Sequence, residues 1–143
     1  MPAIYDSLGM RFQYPENWTL DAKEAFEGEN SVSVYSPEGA FWLVAVHPAG
    51  VDPEELAKTA LKAMRKQYEE LDSERVRETV AGRELLGYDL NFYCLDLTNT
   101  ALVRAFRTPG ASYLVLCQAD DREFDQVEPV FRAITTSLVA SLA

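Results

Sequence analysis

From Glu84 to Ala119 apolar and polar side chains alternate, and short turn-forming pairs interrupt the alternation. A period of two sends successive side chains to opposite faces of a pleated strand, so each segment buries one face and frees the other. Extended one segment upstream, the pattern predicts four strands, Glu74 to Val80, Glu84 to Leu95, Ala101 to Thr108 and Ser112 to Ala119. Ala81-Gly82, Thr98-Asn99 and Pro109-Gly110 are the expected breaks between them. Connections this short permit only antiparallel neighbours, because a parallel pair needs a crossover of about a dozen residues. An antiparallel meander follows.

The turn positions also predict what lies beside what. With those turns central, Phe92, Val103 and Cys117 form one cross-strand row, flanked by Cys94 with Ala101 and by Leu90 with Ala105 and Val115. That face is apolar, and its alanines leave room for a helix. Cys94 and Cys117 would share it about 9–10 Å apart, with a strand between them, too far for a disulfide, whose Cα atoms lie within about 7 Å. The opposite face carries Asp89, Asn91 and Tyr93, then Leu102, Arg104 and Phe106, then Leu114, Leu116 and Gln118. Polar groups in mid-sheet must pair, meet solvent or hold a ligand, since burial without a partner costs on the order of several kcal/mol. Asp89, Asn91, Tyr93, Arg104 and Gln118 are therefore the candidate ligand- or partner-binding residues. The competing reading is a half-solvated face with Arg104 paired to a neighbouring carboxylate.

Upstream, Met10 to Tyr14 reads as a strand ending at Pro15-Glu16-Asn17, a turn set by the fixed φ of proline and an Asn that tolerates the left-handed region. Trp18, just past it, can anchor the turn to the core through its large apolar area. Asp21 to Asn30 suits a helical turn or a loop. Val32 and Val34 alternate with Ser31, Ser33 and Tyr35 as a strand, Ser36 to Gly39 is a turn, and Phe41 to Val46 is a strand apolar on both faces.

Two helices are expected. Asp52 as N-cap, Pro53 at the first position and Glu55 at the third open one, with Val51 and Leu56 as a hydrophobic staple. Leu56, Ala60, Leu61, Met64, Tyr68 and Leu71 form its apolar stripe, which needs a sheet to cover it. The other opens at Ala119-Asp120-Asp121-Arg122-Glu123 and carries Phe124, Val127, Phe131, Ile134 and Leu138 at helical spacing. Pro129 inside that pattern predicts a kink or a fresh start.

At 143 residues the chain is expected to be a single domain, burying about two thirds of its unfolded surface. Tyr113 to Cys117, one of its longest apolar runs, is strand-sized against the roughly 20 residues of a membrane span. The 23 acidic against 13 basic side chains give a field that repels phosphate backbones and anionic lipid. Neither nucleic acid nor membrane is an expected partner. No basic n-region with an apolar stretch and cleavage site is visible, and the two cysteines fall in apolar strand patterns, so a reducing, cytoplasmic address is expected.

Chemistry is sparse. His47 is the only histidine, which removes multi-histidine metal centres and leaves any triad resting on a strand-end residue. Nucleophile-elbow, dinucleotide, Walker and Cys-x-x-Cys motifs do not occur. Asp121, Glu123 and Asp125 imitate the start of a calcium loop, but Gln126 stands where such a loop needs Gly and Arg132 where it needs Glu. Those carboxylates suit a helix N-terminus. Glu69, Glu70, Asp72 and Glu74 form an acidic run near the end of the first helix, a solvated face or a contact for a basic partner. No cofactor or metal is expected.

The order of elements and a few motifs carry a resemblance. An early Pro15-x-x-Trp18 turn, a strand pair, one capped helix, a meander with Val80-Ala81-Gly82-Arg83-Glu84 at its first turn and a final helix ending Ile134-Thr135-Thr136-Ser137-Leu138 resemble the PsbP-like superfamily. The resemblance implies an α+β fold, an α/β/α sandwich with a central antiparallel sheet and helices on both faces. Its members include an extrinsic photosystem subunit, a nuclear-transport factor that binds a small GTPase, bacterial lipoprotein-like proteins and adaptor chaperones of type VI secretion effectors. Most act by binding, and they share no catalytic motif, so no residue role carries over. The expected function is therefore a non-enzymatic protein-binding or adaptor domain. The alternative is a small-ligand carrier using the five polar sheet residues.

Overall fold

The computed structural model describes residues 2–24 and 30–142. Nine strands and two helices are described, beginning with β1 (Ala3–Ser7), β2 (Met10–Tyr14), β3 (Thr19–Glu24), β4 (Asn30–Tyr35) and β5 (Phe41–Pro48). α1 (Pro53–Gln67) follows, then β6 (Asp72–Val80), β7 (Arg83–Cys94), β8 (Leu97–Arg107), β9 (Ala111–Asp120) and α2 (Asp121–Ser141). β3 to β9 make one seven-stranded antiparallel sheet in the order β3-β4-β5-β9-β8-β7-β6, while β1 and β2 pair as a separate hairpin. This is the expected α+β sandwich, with a helix on each face.

α1 forms where its caps predict. Asp52 Oδ1 accepts from the Glu54 N–H at 3.0 Å, Pro53 stands in the first turn, and Arg65 and Lys66 lie in the last. Leu56, Ala57, Leu61 and Met64 are buried against Leu90, Phe92, Ala101, Val103 and Ala105 of β7 and β8. Small alanines let the helix approach, and Tyr68 closes the layer by stacking on Phe92 at 4.2 Å. Replacing the cap, Asp52→Ala, orphans an N–H at the helix start and is expected to cost about 1 kcal/mol, measured by chemical denaturation.

α2 covers the other face. Its N-cap Asp120 accepts from the Arg122 N–H at 3.0 Å, and the Arg122 side chain, which bonds to it, holds the Asp120 carboxyl below its ordinary pKa. Val127, Phe131, Ile134, Leu138 and Val139 pack on Val32, Val34, Trp42, Val44, Val115 and Cys117. The β1–β2 hairpin shares that layer: Phe12 lies on Trp42 at 4.8 Å, the Gln13 N–H donates to Ser137 Oγ at 2.9 Å, and Ser141 Oγ donates to the Arg11 carbonyl at 2.7 Å. Of the two expectations for Pro129, the restart is excluded, because α2 runs through it unbroken. Proline there lies on the exposed side, where its ring meets solvent rather than the core.

Trp18 anchors its turn as expected. Its backbone N–H donates to the Pro15 carbonyl at 3.0 Å, and its buried ring meets Phe131 edge-on at 6.0 Å. The stretch Asp21 to Asn30, expected as a helical turn or loop, is strand at both of its described ends, with residues 25–29 outside the described residues.

One turn and one register differ from expectation, with different consequences. The β7–β8 turn is Leu95-Asp96, not Thr98-Asn99, so Phe92 opposes Asn99 rather than Val103. That displacement is even and leaves every side chain on its predicted face. The next turn forms at Pro109-Gly110 as expected, with Thr108 N–H donating to Ala111 O at 2.8 Å, but the register across it is one residue from that expected, and Val103 opposes Leu116 rather than Cys117. A slip of one residue inverts the facing of all of β9. Leu114, Leu116 and Gln118 consequently face α1, while Val115 and Cys117 lie under α2, and the predicted row of Phe92, Val103 and Cys117 is divided between faces. Both cysteines are free, and they stand on opposite sides of the sheet instead of sharing one.

Candidate functional site

Arg104 lies in mid-sheet on β8, only 8% exposed, and all three of its guanidinium nitrogens are hydrogen-bonded. Nε donates to Glu78 at 2.9 Å and Nη2 to Asp89 at 2.8 Å, while Nη1 reaches the carbonyls of Tyr88 at 3.2 Å and Val103 at 3.0 Å. Glu78 also faces Arg132 of α2 at 3.7 Å. Burial alone would lower the pKa of Arg104, but the hydrogen bonds and charges of Asp89 and Glu78 outweigh it and hold the guanidinium above its ordinary value. Gly87 is the cross-strand neighbour of Arg104 on β7. Lacking a side chain, it lets the Val103 carbonyl of the paired strand approach closely.

The cavity beside this cluster, lined by Glu78, Leu85, Leu102, Arg104, Cys117 and Thr135 among others, holds about 30 Å³. That is room for roughly one water molecule. Buried there, the Cys117 thiol is pushed well above the usual thiol range, with Arg104 only partly opposing the shift. It is an inert core residue.

The five polar residues do not converge. Asp89 and Arg104 are bonded together, and Asn91 is exposed beside Thr100, whose Oγ lies 3.1 Å from Asn91 Oδ1 and 2.7 Å from Asp121 Oδ1. Tyr93 is 63% exposed at the sheet's end. Gln118 lies on the other face: there burial raises the Tyr68 pKa and a hydrogen bond with Gln118 works against it. The expectation that one face carries all five is thus corrected for Gln118, by the inverted facing of β9. His47 is half-buried on β5 opposite Ser112. Among the described residues no group of three or more His, Cys, Asp or Glu side chains is placed to hold a metal ion, and no helix is long and apolar enough to cross a membrane.

What remains unexplained by the fold is the β7–β8 hairpin end. Leu95 and Asp96 both sit in the left-handed region, at φ 54° and 63°, the backbone of a type I′ turn. Leu8-Gly9 and Ala81-Gly82 turn the same way, each with glycine second. Leu95-Asp96 has none, and a bulky residue at positive φ costs on the order of 1 kcal/mol or more. Leu95 is moreover 90% exposed, so no packing of its side chain offsets that cost. Next to it opens a groove of about 570 Å³, with Glu69, Glu70, Asp72, Asp121, Asn91 and Tyr93 on its walls. Sequence reasoning placed Leu95 at the end of a strand and missed the tip, because a turn without Gly or Asn carries little signal beyond Asp96 itself.

Comparison with solved structures gives the same architecture. The chain superposes on cyanobacterial PsbP from Synechocystis sp. PCC 6803 with a TM-score of 0.66 at 13% identity, over 95% of this chain and 90% of that one. It superposes on PA94 of Pseudomonas aeruginosa, a protein of unknown function, with a TM-score of 0.57 at 12% identity, covering 96% and 95% of the two chains. LpqN of Mycobacterium tuberculosis, a protein involved in cell envelope biogenesis, gives 0.51 at 13% identity over 94% and 86%. No family model and no curated protein matches the sequence. The fold is PsbP-like.

Proposed function

We propose that this chain, built on the PsbP-like fold, is a non-enzymatic protein-binding or adaptor domain that docks its partner at the β7–β8 hairpin end. The observation that carries the reading is Leu95, 90% exposed and at φ 54°. A residue that costs the fold stability without packing in return is accounted for by a contact outside the fold. Tyr93 adds an amphipathic anchor of the kind that concentrates binding energy. The adjacent walls carry Glu69, Glu70, Asp72 and Asp121 and no cation, which favours a partner segment that pairs an apolar side chain with a basic one.

The carrier alternative needs an enclosed space of a few hundred Å³. Around Arg104 the space is about 30 Å³. Affinity capture from native host extract with the wild type and with Tyr93→Ser/Leu95→Ser tests the proposal. The expected result is a protein retained by the wild type and depleted at least tenfold by the double variant, as loss of two central anchors of roughly 1 kcal/mol each would give. Equal retention by both proteins would overturn it, as would a copurifying metabolite with no protein partner.

A further inference from the structure

The distribution of positive charge points to a second surface. Three of the four lysines in the sequence, Lys58, Lys62 and Lys66, recur every fourth residue along α1, with Arg65 between the last two. All four side chains are exposed, and with Leu61 they line a shallow groove of about 430 Å³. Five arginines elsewhere are in ion pairs, Arg75 with Glu54, Arg77 with Glu84, Arg104 with Glu78 and Asp89, Arg122 with Asp120, and Arg132 with Glu78, while Arg83 donates to the Arg107 carbonyl. Lys58, Lys62 and Lys66 make no ion pair among the described residues.

Such a row opposes helix stability, since like charges four residues apart repel along a helix face. Arg65 and Lys66 have a local reason for their sign, because cations favour the C-terminal end of a helix. Lys58 and Lys62, nearer its start and middle, do not. Glu54 is four residues before Lys58 and would be its natural partner, but it is taken by Arg75.

We propose that this row docks an extended acidic segment of a partner protein. Lysines four residues apart on a helix repeat every 6 Å or so, and alternate side chains of an extended chain repeat at about 6.6 Å. Carboxylates at every second position therefore meet successive lysines across the roughly 12 Å of the row. The formal net charge of −10 repels broad anionic surfaces, whereas a short acidic segment meets mainly the local cations. This surface is separate from the hairpin end and does not depend on that reading.

The test uses the full chain and an acetylated peptide of about ten residues with Glu at alternate positions, followed by amide chemical shifts at low salt. Shifts should concentrate on residues 58–66. Affinity should fall at least about tenfold in Lys58→Gln/Lys62→Gln/Lys66→Gln, be retained in the triple Arg variant and weaken with added salt. A wild type and triple Gln variant of equal affinity, shifts centred elsewhere, or no binding would overturn the proposal. So would tighter binding to phosphatidylserine vesicles or to single-stranded DNA than to the peptide.

Discussion

Gly87→Ala is expected to destabilise the protein by at least about 3 kcal/mol, lowering Tm by roughly 10 °C or more, or to prevent folding. A Cβ built on Gly87 would lie 1.8 Å from the Val103 carbonyl oxygen and 2.7 Å from its carbon. Both are backbone atoms of the paired strand, so no side-chain rotation relieves the clash. The strands would have to part, beside the Tyr88 and Val103 carbonyls that hold Arg104. Gly110→Ala is the matched control: a Cβ there meets nothing within 4 Å, and the change is expected to stay within about 0.5 kcal/mol. Thermal unfolding of the two variants checks the pair.

Arg104→Ala is expected to cost about 3 kcal/mol. The loss is that of one partner from a cluster that leaves Glu78 and Asp89 facing each other without their cation. Their partial exposure, 27% and 37% of the side chain, lets water take up some of the charge and keeps the figure at the low end. Arg104→Met combined with Glu78→Gln should recover about half of it, because it removes a stranded charge and refills the volume. Denaturation curves for the single and combined variants measure this directly. If Arg104 instead served a carried ligand, its loss would abolish ligand binding and leave stability nearly unchanged.

The elements of this fold were readable because each carries its own local signal. Asp52-Pro53 fixes the start of α1, Val32 and Val34 alternate against serines, and Phe131, Ile134 and Leu138 recur at the helical period. Facing was less readable, since it depends on the turn centre to the residue. Misplacing the β7–β8 turn at Thr98-Asn99 by an even displacement moved no side chain to the other face, while a one-residue difference in register across the Pro109-Gly110 turn exchanged Cys117 and Gln118 between faces. The β5–β9 pairing, which joins the two halves of the sheet, links segments distant in sequence and has no local signature at all.

The arrangement of the candidate site was less readable for a related reason. Asp89 and Arg104 drew attention as mid-sheet charges, and they are mid-sheet, but they satisfy each other. Leu95 drew none, because an exposed leucine is unremarkable in a sequence until its backbone conformation is known. A φ of 54°, near-complete exposure and no following glycine together mark it as a residue the fold alone would not choose.

The hairpin end is the claim on which the functional account turns, and Leu95→Asn with Asp96→Gly tests it most directly. Asn-Gly is the preferred pair for this turn, so the double variant is expected to raise stability by about 1–2 kcal/mol while capture of the partner falls. Both quantities come from one preparation, by thermal unfolding and by affinity capture beside the wild type. A variant that is more stable and binds undiminished would contradict a docking role for the tip, and one that is less stable would contradict the strain from which that role is argued.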